Sequence, residues 1–136
     1  MTALKRNFIV IDDNKLDCFI AQKIVYNTGL SNKISLFQNA LEALEQVKQP
    51  ETGPDIPKSI IIVDIQMPLM NGFEFIEAFE NLPAETRTRY QIFMLSSTIN
   101  QNDVNRAKSY TSVINLISKP LSVNKILSMV EALPPE

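Results

Sequence analysis

The sequence predicts a doubly wound α/β fold built on a five-stranded parallel sheet. Short, wholly apolar runs such as Ile60–Val63 alternate with amphipathic stretches along the chain. Strands buried on both faces read this way, and a parallel sheet covered by helices buries both faces of its strands. No internal repeat or composition break divides the 136 residues, a length that suits one domain.

The elements follow in order. Phe8 to Ile11 reads as the first strand. From Asn14 to about Tyr26, Leu16, Phe19, Ile20 and Ile24 recur at helical spacing and are expected to face the core, and Asn27-Thr28-Gly29 closes that helix. Lys33 to Phe37 is the second strand. Asn39 caps a helix carrying Leu41, Leu44 and Val47. Three prolines and a glycine make Gln49 to Lys58 a loop. Ile60 to Val63 is the third strand, and Gly72 opens a helix with Phe75, Ile76 and Phe79 on one face, ended by Leu82-Pro83. Gln91 to Leu95 is the fourth strand. The stretch Asn100 to Tyr110 is a mostly polar helix anchored by Val104, Ala107 and Tyr110. Val113 to Ile117 is the fifth strand, and Ser122 caps a last helix lined by Val123, Ile126, Leu127 and Val130. The expected organisation is one domain over 1–136 with its core at about 7–133. Pro134-Pro135-Glu136 reads as an ending, with no output domain after it, though a fragment of a longer protein stays open.

Composition excludes several functions. Thirteen basic and fifteen acidic residues give a formal net charge of −2, so no basic surplus exists to meet nucleic-acid phosphates or an acidic membrane surface. There is no histidine, which removes histidine-based acid–base catalysis, serine triads and His-ligated metals. Cys18 is the only cysteine, so an intrachain disulfide is impossible, and its apolar neighbours make it a small core filler. The N-terminus has no signal-peptide pattern and no apolar run approaches a membrane span, so a cytoplasmic location is expected.

In a doubly wound fold the ligand site lies outside the carboxyl ends of the strands. After the first strand come Asp12-Asp13, after the third Asp64, after the fourth Ser96-Ser97, and after the fifth Lys119-Pro120. Alone, each is weak: an Asp after a strand is ordinarily a turn residue or a cap. Together they place three carboxylates, a hydroxyl and an ammonium on one rim. Three neighbouring carboxylates resist joint ionisation. A divalent cation relieves that, and all-oxygen ligation fits Mg²⁺. Phosphoryl transfer needs this combination of positioning and charge neutralisation, and aspartate can accept the phosphoryl group covalently.

These residues resemble the receiver domains of two-component response regulators over nearly the whole chain, from about Asn7 to Leu133. The resemblance is carried by Asp12-Asp13, by Asp64-Ile65-Gln66-Met67-Pro68 with Asn71-Gly72 beyond, by Met94-Leu95-Ser96-Ser97 and by Lys119-Pro120-Leu121. It implies a flavodoxin-like (βα)5 receiver fold and a stand-alone regulator that does not turn over a substrate. Asp64 would be phosphorylated from a phosphohistidine on a histidine kinase or histidine phosphotransfer protein. Asp13 and Asp64 would ligate Mg²⁺, with Asp12 helping and the Gln66 backbone carbonyl adding a ligand. Ser96 would move onto the phosphoryl group, Lys119 would pair with it, and the Lys119-Pro120 bond is expected to be cis.

Three further expectations concern signalling. Three residues before the lysine the family often carries Tyr or Phe; Leu116 stands there and is expected to be a packing residue, leaving the signal to Ser96 and the helix at 100–110. Gln66 and Thr98 flank the water approach and are expected to tune the lifetime of the acyl phosphate. Output is expected through binding of a downstream protein, or a phosphorylation-dependent homodimer, by residues 100–133.

Two other classes compete. A phosphatase or phosphotransferase of the haloacid-dehalogenase type also uses a strand-end Asp and Mg²⁺, but wants an acid two residues on, where this chain has Gln66. A flavodoxin-like flavin binder wants a Ser/Thr/Gly-rich loop after the first strand, where Asp12-Asp13-Asn14 would repel a phosphate.

Overall fold

The computed structural model describes residues 5–51, 53 and 55–133. Five strands, β1 (Arg6–Ile11), β2 (Ser31–Phe37), β3 (Ser59–Asp64), β4 (Tyr90–Ser96) and β5 (Val113–Ser118), form one sheet in the order β2-β1-β3-β4-β5. Every pairing is parallel. Six helices connect them: α1 (Lys15–Asn27), α2 (Ala40–Val47), α3 (Gly72–Glu80), α4 (Ala84–Arg87), α5 (Gln101–Lys108) and α6 (Val123–Glu131).

The apolar runs have the cause the sequence suggested. Successive strand side chains point to opposite faces. Ile9, Ile11, Ile61, Val63, Ile92 and Met94 pack with residues of α2, α3 and α5. Phe8, Ile60, Ile62, Phe93 and Leu95 pack on the other face with residues of α1 and α6. A strand enclosed on both faces has no polar side to show, so Ile60–Val63 is apolar without interruption.

The helix faces depart from expectation in α1. Its stripe of Leu16, Phe19 and Ile20 is not core: these side chains are 65%, 53% and 44% exposed. The buried residues are the small Cys18, Ala21 and Val25, while Ile24 is half-buried against the core. Small side chains bring the helix close to the sheet and leave the larger ones outside. In α2 the same substitution occurs: Ala40, Ala43 and Val47 are buried, Leu44 packs alongside and Leu41 is exposed. In α6, Ile126 and Met129 carry the burial. The four-residue α4 after Pro83 was not expected, because one helical turn is too short to show a period.

The order in which successive strands join the sheet reverses between β1 and β3, which places a crevice at their carboxyl ends. The sheet's hydrogen bonding continues past the strands toward it. The Asp12 N–H donates to the Phe37 carbonyl (3.0 Å), the Ile65 N–H to Leu95 (2.9 Å) and the Lys119 N–H to Ser96 (2.9 Å). The candidate site residues at these strand ends are thus held by the ladder itself. Among the described residues no helix is long and apolar enough to cross a membrane.

Candidate phosphoryl-acceptor and metal site

Asp64 is the last residue of β3 and is 6% exposed; Asp12, just past β1, is 3% exposed. Asp13 beside it is exposed. One carboxylate oxygen from each of Asp12, Asp13 and Asp64 lies within 4.8 Å of the others. Lys119 reaches in from the end of β5. Its ammonium donates to Asp12 Oδ2 (2.8 Å), Asp17 Oδ2 (3.1 Å) and Asp64 Oδ2 (3.2 Å). The second oxygens are also tied: Asp12 Oδ1 accepts the Asn14 N–H (2.9 Å) and Asp64 Oδ1 the Gln66 N–H (3.3 Å).

The electrostatics follow from this geometry. Burial pushes the Asp64 carboxyl above its ordinary range, and the neighbouring Asp12 charge pushes it further, against the attraction of Lys119. Burial alone would lower Lys119, but the hydrogen bonds it donates to Asp12 and Asp17 and the pull of Asp64 raise it overall, so it is a cation at neutral pH. Cys18 sits beneath, its thiol donating to the Asp12 carbonyl (3.1 Å) and pushed up to about 11, first by burial and then by Asp12. It is the inert filler the sequence suggested.

A magnesium ion fits the donor set. The three acids offer only oxygen, the ligand type a hard cation takes. The Asp64 carboxyl is raised by burial first and by the Asp12 charge second, and a divalent ion at the site would offset both.

The other expected residues are distributed as follows. Ser96 is buried at the end of β4, and its hydroxyl donates to the Thr98 carbonyl while accepting the Thr98 N–H at 3.3 Å. The hydroxyl is thus committed to its own loop rather than to Asp64. Thr98 is exposed. Leu116 is half-buried and packs against the cluster beneath α2, α3 and α5. The Lys119-Pro120 bond is cis.

Sequence reasoning missed three supports. Gly72 opens α3 as expected, and Asn71 before it closes a capping box: its side chain accepts the Glu74 N–H (2.9 Å) and Glu74 Oε1 accepts the Asn71 N–H (3.0 Å). Lys125 of α6 donates to the carbonyls of Ser118 (2.7 Å) and Pro120 (2.8 Å), bracing the loop that carries Lys119. Asp17 is the third, and the sequence shows it only as an acid in the first turn of a helix, an ordinary position.

The chain belongs to the response regulator receiver domain family, whose model matches residues 8–131. It is similar to the response regulator receiver protein of Dyadobacter fermentans, 33% identical with a TM-score of 0.82 over 93% of this chain and 95% of that one. Among curated proteins it is similar to the sensor histidine kinase CheAY of Helicobacter pylori, 28% identical over 90% of this chain; the match covers 14% of that longer protein. The fold, at 12% identity and a TM-score of 0.73, is shared with the receiver domain of a sensor histidine kinase from Pseudomonas aeruginosa, whose structure has magnesium coordinated in the active-site cleft; the match covers 93% of this chain and 95% of that one. The chain is therefore a two-component receiver domain, and such domains are signalling modules.

Proposed function

We propose that this receiver is phosphorylated on Asp64 by a phosphohistidine of a histidine kinase or histidine phosphotransfer protein, and signals by phosphorylation-dependent protein binding. The convergence of Lys119 on Asp64 and Asp12 at the carboxyl rim is the observation that carries the reading. Magnesium held by Asp12, Asp13 and Asp64, with the Gln66 carbonyl adding a ligand, would offset the charge of the incoming phosphoryl group. The magnesium of the Pseudomonas domain supports that assignment.

In the transfer step, one Asp64 carboxylate oxygen attacks the phosphorus as the donor's P–N bond breaks, and the imidazole leaves with the bonding pair and takes up a proton. The sheet fixes Asp64 for this attack. Lys119 is positioned to hold a phosphoryl oxygen. Ser96 would release the Thr98 carbonyl to donate to another oxygen, which rearranges the loop after Ser97 and with it α5. This helix buries only Ala107, so it is weakly anchored. Residues 100–133 then form the output face, for a target protein or a second copy of the chain. Leu116 acts as packing in this scheme, and Gln66 and Thr98 tune the lifetime of the acyl phosphate. The exposed Leu16, Phe19 and Ile20 of α1 lie next to Asp17 and offer the phosphodonor an apolar surface beside the site. The surroundings expected are cytoplasmic.

Intact mass after incubation with acetyl phosphate and Mg²⁺ tests the proposal. The protein should gain one phosphoryl group, and Asp64→Asn should gain none. Equal gain by both, or no gain with any donor, contradicts it.

A further inference from the structure

Lys119 is an internal cation, and it occupies the carboxylates a metal requires. Its ammonium has three N–H groups and three carboxylate partners, so all its donors are in use. Two partners, Asp12 and Asp64, belong to the metal cluster; the third, Asp17, does not. Magnesium and the ammonium therefore compete for Asp12 and Asp64, while Asp17 competes with those two for the ammonium.

Asp17 is well placed for this. It lies in the first turn of α1, where its N–H donates to the Asn14 side chain (3.0 Å), and Asn14 in turn donates its own N–H to Asp12. A short chain of hydrogen bonds thus fixes the Asp17 backbone relative to the cluster, and its carboxylate accepts from Lys119. The Lys119 side chain is 20% exposed and that of Asp17 39% exposed, so the pair is screened only in part.

We infer that Asp17 is a positioning residue for the metal site: it draws the Lys119 ammonium away from Asp12 and Asp64, and so eases magnesium binding. The inference rests on reading the acidic cluster as a magnesium site. Without Asp17, Lys119 concentrates on the two remaining carboxylates and the metal must displace a better-held cation. With Asp17 present, the ammonium keeps a carboxylate partner while its other two are surrendered.

The test is a Mg²⁺ titration followed by amide NMR shifts, with no phosphoryl donor present. Asp17→Asn should bind Mg²⁺ about two- to fivefold more weakly than the wild type, the scale of a partly exposed ion pair. Asp17→Glu, which keeps the charge, should recover most of that loss. In a Lys119→Met background, or Lys119→Gln if the first variant does not fold, adding Asp17→Asn should change the affinity little. An Asp17→Asn protein that binds as well as the wild type overturns the inference. So does an equal loss in the Lys119-substituted background, because that is the signature of bulk charge rather than competition for the ammonium. A wild type that binds no Mg²⁺ overturns the metal-site reading itself, an outcome distinct from either.

Discussion

A β-carbon placed on Gly72 would stand 2.5 Å from the carbonyl oxygen of Asp64 and 2.9 Å from the Cα of Ile65. The loop after Asp64 returns so closely that the Gly72 N–H donates to the Ile65 carbonyl (2.8 Å). Both near atoms are backbone, so neither can move aside cheaply. Gly72→Ala should therefore cost about 1–3 kcal/mol, as overpacking does, and should weaken Mg²⁺ binding because the displaced strand end carries Asp64. Chemical denaturation and a metal titration check both. A variant with unchanged stability and affinity would show that the loop gives way freely.

The raised Asp64 carboxyl sets a pH dependence in metal-free protein. A group whose folded pKa lies above its unfolded value contributes stability that is fully present below the unfolded pKa and is lost as pH rises through the folded one. At neutral pH, ionised Asp64 is accordingly a destabilising charge. Asp64→Asn, measured in EDTA, should unfold at higher denaturant than the wild type at pH 7. The gap should shrink as pH falls through the raised carboxyl range toward 3.8, Asp64's ordinary value. A gap independent of pH would remove titration of Asp64 as the cause.

Metal should reverse that order. Ligand binding to the folded state alone stabilises it by about 1.4 kcal/mol at ten times the dissociation constant. Mg²⁺ should thus raise the unfolding midpoint of the wild type, and far less that of Asp64→Asn or Asp13→Asn. Equal shifts in all three proteins would place the bound metal elsewhere.

Leu69, in the same loop, has φ +68° and is 84% exposed. A leucine in the left-handed region carries strain and gains nothing from packing at that exposure. Leu69→Asn should stabilise the protein by roughly 1 kcal/mol, read from the denaturant midpoint. Destabilisation instead would mean that the leucine side chain holds the loop.

The strands and the rim were legible because enclosure on both faces leaves a plain record, an apolar run followed at once by polar residues. Ile60–Val63 ending on Asp64 is one such case. The helix faces were less legible. Periodicity detects the apolar stripe of Leu16, Phe19 and Ile20, but α1 packs against the sheet through Cys18, Ala21 and Val25. Close approach favours small side chains, and a pattern weighted by hydrophobic size points the wrong way. Asp17 was hidden for another reason. Its partner Lys119 lies 102 residues away, and only the folded sheet brings the two together. The commitment of Ser96 to Thr98 likewise depends on the turn of one loop, which residue types alone do not determine.

The central claim is that Asp64 itself takes the phosphoryl group, and borohydride trapping tests it most directly. An acyl phosphate on aspartate is reduced to homoserine, which peptide sequencing locates. After acetyl phosphate and Mg²⁺, homoserine should stand at position 64 and at neither 12 nor 13. Homoserine at either of those acids, or aspartate retained at all three in protein that has gained phosphoryl mass, would contradict the account.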